Sequence, residues 1–545
     1  MTRAASVVLR TALVAASLAG AGPAVSGAQQ GSTYQPGIDV LDYDIRLELP
    51  DTGAVLRGDV TVTFRRSRGV SRLRLDLVRA LAVREVRVDG LPRAVAREGD
   101  AIVIPLGALA RDSMQVRVTY DGVVTDGLIV RRDAKGRWTW FGDNWPDRAR
   151  QWLPLVDHPS DKATVSWAVR APAGRTVIAN GSLLGTRQVP GEAGRVETRW
   201  RESHPIPTYL MVIGAGPLAR IPIDECLSGA RAGCVKQSVY VMPEERGWMP
   251  GPFASAPAIV ALFERLVGPF PFERLDHLQS ATRFGGMENA TAIFYASDLF
   301  TTRRLADGII AHETAHQWFG DAVTEGEWGH LWLSEGFATY FAALWTREHA
   351  GEAAYRAEML RIRGEILADS VVARRPVLDT AQRDYLALLN ANSYQKGGYV
   401  LYMLHERLGE RAFFDGLRAY HAAHRDGIAL TADLQRALEA SSGASLATMF
   451  DQWLRRPGVA AVMLGWAWDA ERAQLLVTVL QEDVMPYELD LDVSVTNGLG
   501  EVRTTTLRVP AERRSSLVLP WRVNARPRAV TLDGGDRLLA RVQRL

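Results

Sequence analysis

The chain has 545 residues, a formal net charge of +2 and 23% charged residues. This length exceeds what one hydrophobic core supports, so we expect two to four domains. No block of lysine and arginine residues stands out, which argues against nucleic acid or an anionic membrane surface as a partner. With 47% hydrophobic residues, the composition is that of a folded globular protein.

Residues 1–28 differ from the rest of the chain and are predicted to be a signal peptide. Arg3 and Arg10 provide a short basic start, an apolar stretch follows to Ala21, and Ser26-Gly27-Ala28 offers the small residues that signal peptidase requires. The alternative is an uncleaved N-terminal anchor, although the apolar stretch is shorter than the roughly 20 residues that span a bilayer. We therefore expect an exported protein, periplasmic or secreted, without stable membrane insertion.

Residues 37–236 are predicted to form an all-β domain. Hydrophobic and polar residues alternate with a period of two, and Asp/Gly turns separate the runs, which is typical of half-buried strands. The clearest runs are residues 45–49, 60–64, 73–77 and 114–120.

Residues 237–457 are predicted to be mainly α-helical, and residues 458–545 to form a small β-sandwich. Helical spacing of apolar residues occurs at residues 254–266, 305–319, 334–349, 353–368 and 395–408. Alternation with a period of two returns at residues 475–479, 489–495 and 507–509, with turn signals such as Asn497-Gly498 between them. The predicted fold class is therefore a multidomain α+β protein in the order β, α, β.

Cys226 and Cys234 are the only two cysteines in the chain. In an oxidising compartment this close pair favours a disulfide that closes a small surface loop. A zinc site is disfavoured, because two thiols without nearby histidines cannot complete a tetrahedral ligand set. We expect a structural role.

The sequence HETAHQWFG at residues 312–320 carries the strongest chemical signal. On a helix, His312 and His316 lie on one face, about 5–6 Å apart at Cβ, and can share one zinc ion. Glu313 then lies beside the open metal position, where it can act as a general base. Glu335 follows His316 after eighteen residues, and a hairpin of two helices would return its carboxylate as the third ligand.

Other acidic and histidine residues near this motif are weaker candidates. Glu325 and Glu327 lie in a polar, glycine-containing stretch and are expected to face water. Asp321 is too close to His316 in sequence to turn back toward the metal. His421 and His424 are predicted to be surface residues of a helix, because their spacing, without an intervening glutamate, offers no comparable chemistry. Ordinary hydrogen bonding by helix histidines is the alternative to a metal site.

Four motifs together resemble the zinc aminopeptidases of the gluzincin clan, of the aminopeptidase N and leukotriene hydrolase type. These are HETAHQWFG, the sequence WLSEGFATY at residues 332–340, GGMEN at residues 285–289 and YQKGG at residues 394–398. GGMEN is similar to the GxMEN exopeptidase motif of that family, and YQKGG is similar to its YxKG segment. The resemblance implies a saddle-like N-terminal β domain and a thermolysin-like catalytic domain.

The resemblance also implies a role for each residue of the metal centre. One zinc ion per chain would be held by His312, His316 and Glu335. Glu313 would accept a proton from the zinc-bound water and pass it to the leaving amine. Tyr394 would donate its hydroxyl to the developing oxyanion.

Substrate contacts follow from GGMEN in the same way. Glu288 would bind the free α-amine of a peptide, and Met287 would contact the first side chain. Gly285 and Gly286 would allow the backbone of an edge strand to approach the peptide, with Asn289 completing the substrate-binding motif. The implied partners are peptides with a free N-terminal amine.

Two features depart from the family pattern. Relatives commonly place an acidic or amide residue of the N-terminal domain near the substrate amine; the matching stretch here is residues 141–150, and its register makes Asp143 or Trp145 the candidate. The large C-terminal helical domain of many relatives is also absent, because only about 85 residues follow the catalytic segment. A closed peptide chamber is therefore not implied.

The predicted function is a zinc-dependent aminopeptidase that hydrolyses the N-terminal peptide bond. Two alternatives remain. One is another hydrolase activity on the same scaffold, dipeptidase-like or epoxide-opening; the other is a non-catalytic binding protein. The intact GGMEN motif favours amine recognition, and the presence of Glu313 with all three metal ligands disfavours the non-catalytic reading.

Overall fold

The computed structural model describes residues 35–107, 113–226, 234–533 and 537–545. The predicted signal peptide at residues 1–28 lies outside the described residues. None of the described helices is both long enough and apolar enough to cross a membrane.

The N-terminal region consists of three β-sheets, as the period-two alternation predicts. Strands β13-β14-β11-β1-β2-β8-β4-β5 form an eight-stranded sheet, β12-β15-β10-β9 a four-stranded sheet and β3-β7-β6 a three-stranded sheet. The strands are β1 Ile38–Glu48, β2 Val55–Arg66, β3 Arg72–Asp76, β4 Leu81–Val88, β5 Leu91–Pro92, β6 Ala96–Arg97, β7 Ala101–Pro105, β8 Ser113–Val123, β9 Leu128–Arg132, β10 Trp138–Gly142, β11 Lys162–Pro172, β12 Thr176–Ala179, β13 Ser182–Gln188, β14 Arg195–Pro207 and β15 Ile213–Gly216. All pairings in the large sheet are antiparallel except that of β1 with β11.

A mixed five-stranded sheet spans the boundary between residues 37–236, predicted to be all-β, and residues 237–457, predicted to be mainly α-helical. Its order is β16-β17-β18-β20-β19, so β19 forms an edge. The strands are β16 Ala219–Asp224, β17 Gln237–Val241, β18 Leu275–Ser280, β19 Gly286–Met287 and β20 Ala292–Ala296. Four of these strands are almost entirely buried or very short, so alternation between polar and apolar residues gives no signal for them.

The remainder of the middle segment is helical, with one small parallel pair formed by β21 Val323–Glu325 and β22 Gly427–Ala429. The five long predicted helices are confirmed. The kink at Gly409, where φ is +77°, interrupts the last one immediately after its predicted end. The helices are α1 Ala256–Leu266, α2 Ser297–Thr301, α3 Asp307–His316, α4 Trp332–Ala350, α5 Glu352–Ala368, α6 Ser370–Arg374, α7 Gly397–His424, α8 Thr431–Ser442 and α9 Ala447–Phe450.

Two small sheets form the C-terminal region, as the returning alternation predicts. Their orders are β27-β24-β23-β29 and β26-β25-β28. The strands are β23 Ala460–Asp469, β24 Gln474–Gln481, β25 Leu489–Thr496, β26 Val502–Val509, β27 Arg514–Val518, β28 Ala529–Leu532 and β29 Ala540–Arg544. The chain thus combines an N-terminal β-rich region, a mainly helical middle region and C-terminal β-sheets.

Cys226 and Cys234 form a disulfide between the end of β16 and the start of β17. The predicted local pairing is therefore confirmed.

Candidate metal centre

Helices α3 and α4 bring the three predicted metal ligands together. The Nε2 atom of His312 lies 3.2 Å from Oε2 of Glu335, and Nε2 of His316 lies 3.4 Å from the same oxygen. The ligating atoms of all three residues lie within 4.8 Å of one another. Two imidazole nitrogens and one carboxylate are a donor set that suits zinc and leaves a fourth position open. The residues present therefore fit such an ion.

A neighbouring contact fixes the orientation of the His316 ring. Its Nδ1 atom lies 2.9 Å from Oγ of Ser334 and 3.3 Å from the carbonyl oxygen of Phe319. A carbonyl oxygen only accepts, so we assign a ring hydrogen to Nδ1; in the neutral form of the ring, the lone pair of Nε2 is then free to bind a metal. Gly320 has φ of +123°, and a Cβ there would lie 2.5 Å from Oγ of Ser334. This turn requires glycine to keep the contact.

The histidines also control the charge of Glu335. Burial raises the pKa of this carboxyl group, but hydrogen bonds and charge interactions with His312 and His316 outweigh burial and lower the pKa to about 2. The carboxylate is therefore ionised, as a metal ligand must be.

Tyr394 reaches the same centre from a π-helical turn at Asn392–Lys396 that precedes α7. Its hydroxyl group donates a hydrogen bond of 2.7 Å to Oε1 of Glu335, and its ring stacks parallel to that of His312. Close helix packing makes this possible, because a Cβ on Gly336 would lie 2.9 Å from the backbone of Gly397. Only a residue without a side chain lets α4 and α7 approach so closely at this point.

Edge strand β19 lies directly beside Glu313. A Cβ added to Gly286 would lie 2.0 Å from Oε1 and 2.2 Å from Cδ of Glu313, whereas a Cβ on Gly285 would meet no atom within 4 Å. Gly286 pairs with Tyr295 of β20, which leaves the other side of the strand unpaired within the sheet. The two glycines are thus adjacent but have very different surroundings.

Glu288 also lies close to the metal centre. Polar atoms of Glu288, Glu313 and His316 lie within 4.8 Å of one another. Gln317 holds this segment against α3, because its Nε2 donates to the Glu288 carbonyl at 2.8 Å and its Oε1 accepts from the Thr291 backbone at 2.9 Å. The structure therefore joins the GGMEN segment to the metal-binding helix.

Met287 and Asn289 belong to the same segment, and both side chains are buried. The side-chain amide of Asn289 has no hydrogen-bond partner among the described residues. The N-terminal domain supports this segment from behind: Nδ2 of Asn180 donates to the carbonyl of Ala290 at 2.8 Å, and Gly181 donates its backbone N–H to Thr291.

The surroundings of Asp143 do not fit the prediction that it binds a substrate amine. Its carboxylate is buried and accepts hydrogen bonds from Arg148 at 2.9 Å, Arg283 at 2.8 Å and Thr282 at 2.9 Å. Two guanidinium groups already neutralise it, so little attraction for a further cation remains. Trp145, which is the candidate in the alternative register, is buried against the rings of Phe284 and Trp328.

Two expectations about other residues, Glu325 and His421, are wrong. Glu325 was expected to face water, but it is buried on β21, and its carboxylate has no hydrogen-bond partner among the described residues. Burial raises its pKa well above the usual value. His421 was expected at the surface but is buried against Phe319. Glu327 is exposed, as predicted.

Sequence reasoning missed three residues that support the site: Ser334, Gln317 and Lys162. The first two are adjacent to a metal ligand in sequence, and that position was their only signal. Lys162 lies in the N-terminal domain, where its Nζ donates to the carbonyls of Asp321, Ala322 and Gly427 at 2.8–3.1 Å. Nothing in its local sequence marks it, because its partners are more than 150 residues away.

This site defines the class of protein to which the chain belongs. Two histidines one helical turn apart, a glutamate from the next helix and a glutamate beside the open position form the centre of a metallopeptidase. Residues 254–453 match the family described as the Peptidase family M1 domain, and residues 40–210 match the Peptidase M1 N-terminal domain. Together these regions cover more than half of the chain. The chain belongs to peptidase family M1.

Individual relatives agree with this assignment. Aminopeptidase N from Streptomyces lividans is 27% identical over 559 residues, which cover 93% of this chain and 62% of that protein. Aminopeptidase M1 from Arabidopsis thaliana is 31% identical over 336 residues, which cover 58% of this chain and 37% of that protein. The chain thus spans between 37% and 62% of the length of the first curated relatives that it matches.

A solved structure is similar over most of its own length. An M1 zinc metallopeptidase from Deinococcus radiodurans superposes with a TM-score of 0.68 at 25% sequence identity. The match covers 78% of this chain and 96% of that chain.

Proposed function

We propose that the protein is a zinc-dependent aminopeptidase that hydrolyses the first peptide bond of peptides with a free N-terminal amine. The observation that carries this proposal is the position of Glu288, whose carboxylate lies within 4.8 Å of a ring nitrogen of His316 and of the carboxylate of Glu313. In a peptide, the α-amine is separated from the first carbonyl carbon by two bonds, about 2.5 Å. An ammonium group held by Glu288 therefore brings the first carbonyl to the metal ligands.

His312, His316 and Glu335 would hold the zinc ion. When bound, zinc lowers the pKa of a water molecule to about 7 and polarises the carbonyl group of the substrate. Ser334 and Phe319 keep the His316 ring turned with Nε2 toward Glu335. The other steps of the reaction are assigned to the side chains of Glu313 and Tyr394.

Glu313 is the proposed general base. Its carboxylate is buried, and burial raises its pKa well above the usual value, so it accepts a proton more readily than an exposed glutamate does. It would take a proton from the attacking water and transfer it to the leaving amine. Glu288, although close by, is assigned the substrate ammonium, since its segment is held to α3 by Gln317.

Tyr394 is the proposed oxyanion donor. Burial and the neighbouring carboxylate of Glu335 raise its pKa well above 10, so the hydroxyl group stays protonated at neutral pH. It can turn from Glu335 to the carbonyl oxygen of the substrate as negative charge develops there. The unpaired side of β19 can bind the peptide backbone as an added strand.

The test uses aminoacyl-arylamide substrates with free and acetylated amines, with and without a chelator. We expect cleavage of the free-amine substrate only, and loss of that activity on chelation with recovery after zinc is added back. Glu313→Gln is the matched control for contaminating peptidases, since it should be inactive with its metal retained. Cleavage of both substrates at equal rates would reject the exopeptidase assignment.

Export is part of the proposal. The predicted signal peptide at residues 1–28 supports it, and the disulfide between Cys226 and Cys234 is of the kind that persists in oxidising compartments. Cell fractionation and N-terminal sequencing of the natural protein test it. A cytoplasmic protein that starts at Met1 would contradict it.

A further inference from the structure

Lys396 is a buried cation that the proposed reaction does not use. It lies two residues after Tyr394 in the same π-helical turn, and no part of it is exposed. Its Nζ donates to the carbonyl oxygens of Gly458 at 2.8 Å and Arg456 at 3.4 Å. Within the described part of the chain, no carboxylate lies at ion-pair distance from it. Burial lowers its pKa to about 7.

A buried ammonium group without a counter-ion is costly, and backbone carbonyls are its only compensation here. An apolar side chain would fill the same space at lower cost. The main effect of the contact between Lys396 and these carbonyls is therefore to fix the position of the backbone, and it adds little stability.

The two carbonyls belong to the connection between the catalytic domain and the C-terminal β-sandwich. Gly458 has φ of +82°, and β23 of the sandwich begins two residues later. The backbone N–H of Gly458 donates to the carbonyl of Val372 at 2.7 Å, so this linker is fixed on two sides. Lys396 fixes the linker on one of these two sides, and it belongs to the same π-helical turn as Tyr394.

The same sandwich contacts α7 and α5 at further points. The hydroxyl group of Tyr399 donates to the carbonyl of Arg537 at 3.2 Å, and Arg363 donates to the carbonyl of Leu538 at 2.8 Å. Residues two apart on a helical turn point in nearly opposite directions. Tyr394 accordingly points to Glu335 while Lys396 points to the linker, and one turn connects the metal centre with the C-terminal domain.

We propose that Lys396 is a positioning residue, which holds the turn of Tyr394 through the linker carbonyls and makes hydrolysis depend on the docked C-terminal β-sandwich. This inference rests on the proposed function, because it assigns Tyr394 as the oxyanion donor. Displacement of a reacting group by about 1 Å can cost about 100-fold in rate. Loss of the lysine should therefore lower kcat and leave KM nearly unchanged.

The test is a double-mutant cycle with Lys396→Met and Tyr394→Phe in the full-length protein. Lys396→Met keeps the length of the side chain and removes its charge. We expect it to lower kcat by roughly 10- to 100-fold in the presence of Tyr394 and by less than about 2-fold when Phe replaces that tyrosine. An equal factor in both backgrounds would overturn the inference.

A second measurement does not depend on activity. Trypsin can cleave after Arg455, which is exposed at the linker. We expect Lys396→Met to accelerate cleavage at this bond, whereas Lys162→Met, which removes a half-buried lysine that also donates to backbone carbonyls, should not. Unchanged cleavage together with an unchanged kcat would refute the role of Lys396. If the wild-type protein has no peptidase activity, the proposed function fails, while the cleavage assay still reports on the linker contact.

Discussion

Substitution of Gly286 by alanine tests the arrangement of edge strand β19 and Glu313. The added Cβ would lie 2.0 Å from Oε1, 2.2 Å from Cδ and 2.6 Å from Cγ of Glu313. Non-bonded carbon atoms pack at about 3.5–4.0 Å, so the carboxylate or the strand must move by about 1 Å or more. The backbone of Gly286 has a negative φ that alanine can adopt, so the clash is with the side chain alone.

The expected result is a loss of activity of about 100-fold or more with a folded, metal-loaded protein. A displacement of about 1 Å in a reacting group corresponds to about 100-fold in rate, and overpacking costs about 1–3 kcal/mol of stability. Gly285→Ala is the matched control, because a Cβ there meets no atom within 4 Å. It should retain kcat within about 2-fold of the wild type. Because Gly285 is also a proposed peptide-contacting residue, any effect of its Cβ on the substrate should appear in KM.

The assay measures kcat and KM on an aminoacyl-arylamide, zinc content and thermal stability for both variants. Equal activity of the two variants would refute the placement of Glu313 against β19. Loss of zinc from Gly286→Ala would also refute the reasoning, since none of the three proposed ligands is the residue that clashes.

Three other substitutions test separate residues with the same substrates. Glu288→Gln should raise KM for free amines by roughly 10-fold or more, because a hydrogen bond to a charged group contributes about 1.5–3 kcal/mol; an equal loss on acetylated substrates would contradict its role. Tyr394→Phe should lower kcat by about 10²–10³-fold with little change in KM, and an effect confined to KM would argue against an oxyanion donor. Asp143→Asn should lower the free energy of unfolding by about 3 kcal/mol in a denaturant titration, because it removes the nearer of the two carboxylates that pair with buried Arg148. A selective rise in KM for free amines would instead restore Asp143 as the amine-binding residue.

The order of regions and the metal ligands could be predicted because their signals are local. A period of two or 3.6 residues reports burial on one face, and His312 and His316 are neighbours on one turn of α3. Glu335 could be found because α4 follows α3 along the chain, after the connection at residues 317–331, and packs against it. In each case the residues that must meet are close in sequence.

Residues whose partners are distant in sequence could not be predicted. Asp143 is neutralised partly by Arg283, which is 140 residues away, and no local pattern announces that pair. Glu325 lies in a polar stretch of the sequence, but it belongs to β21, which pairs with β22 and is buried. The five-stranded sheet was missed for a related reason, since strands buried on both faces do not alternate.

The position of Tyr394 combines both kinds of information. Its motif predicts a role, but the π-helical turn that directs its hydroxyl group at Glu335 depends on the close approach of Gly336 and Gly397. Such packing between two helices is visible only in three dimensions.

Zinc content is the most direct measure of whether His312, His316 and Glu335 form one metal centre. Purified wild-type protein and Glu313→Gln should each contain about one zinc ion per chain, because Glu313 is not a ligand. Glu335→Ala should lose most of its zinc after dialysis against a mild chelator while it remains folded. Wild-type protein without stoichiometric zinc, or a Glu335→Ala variant that retains it, would contradict the account.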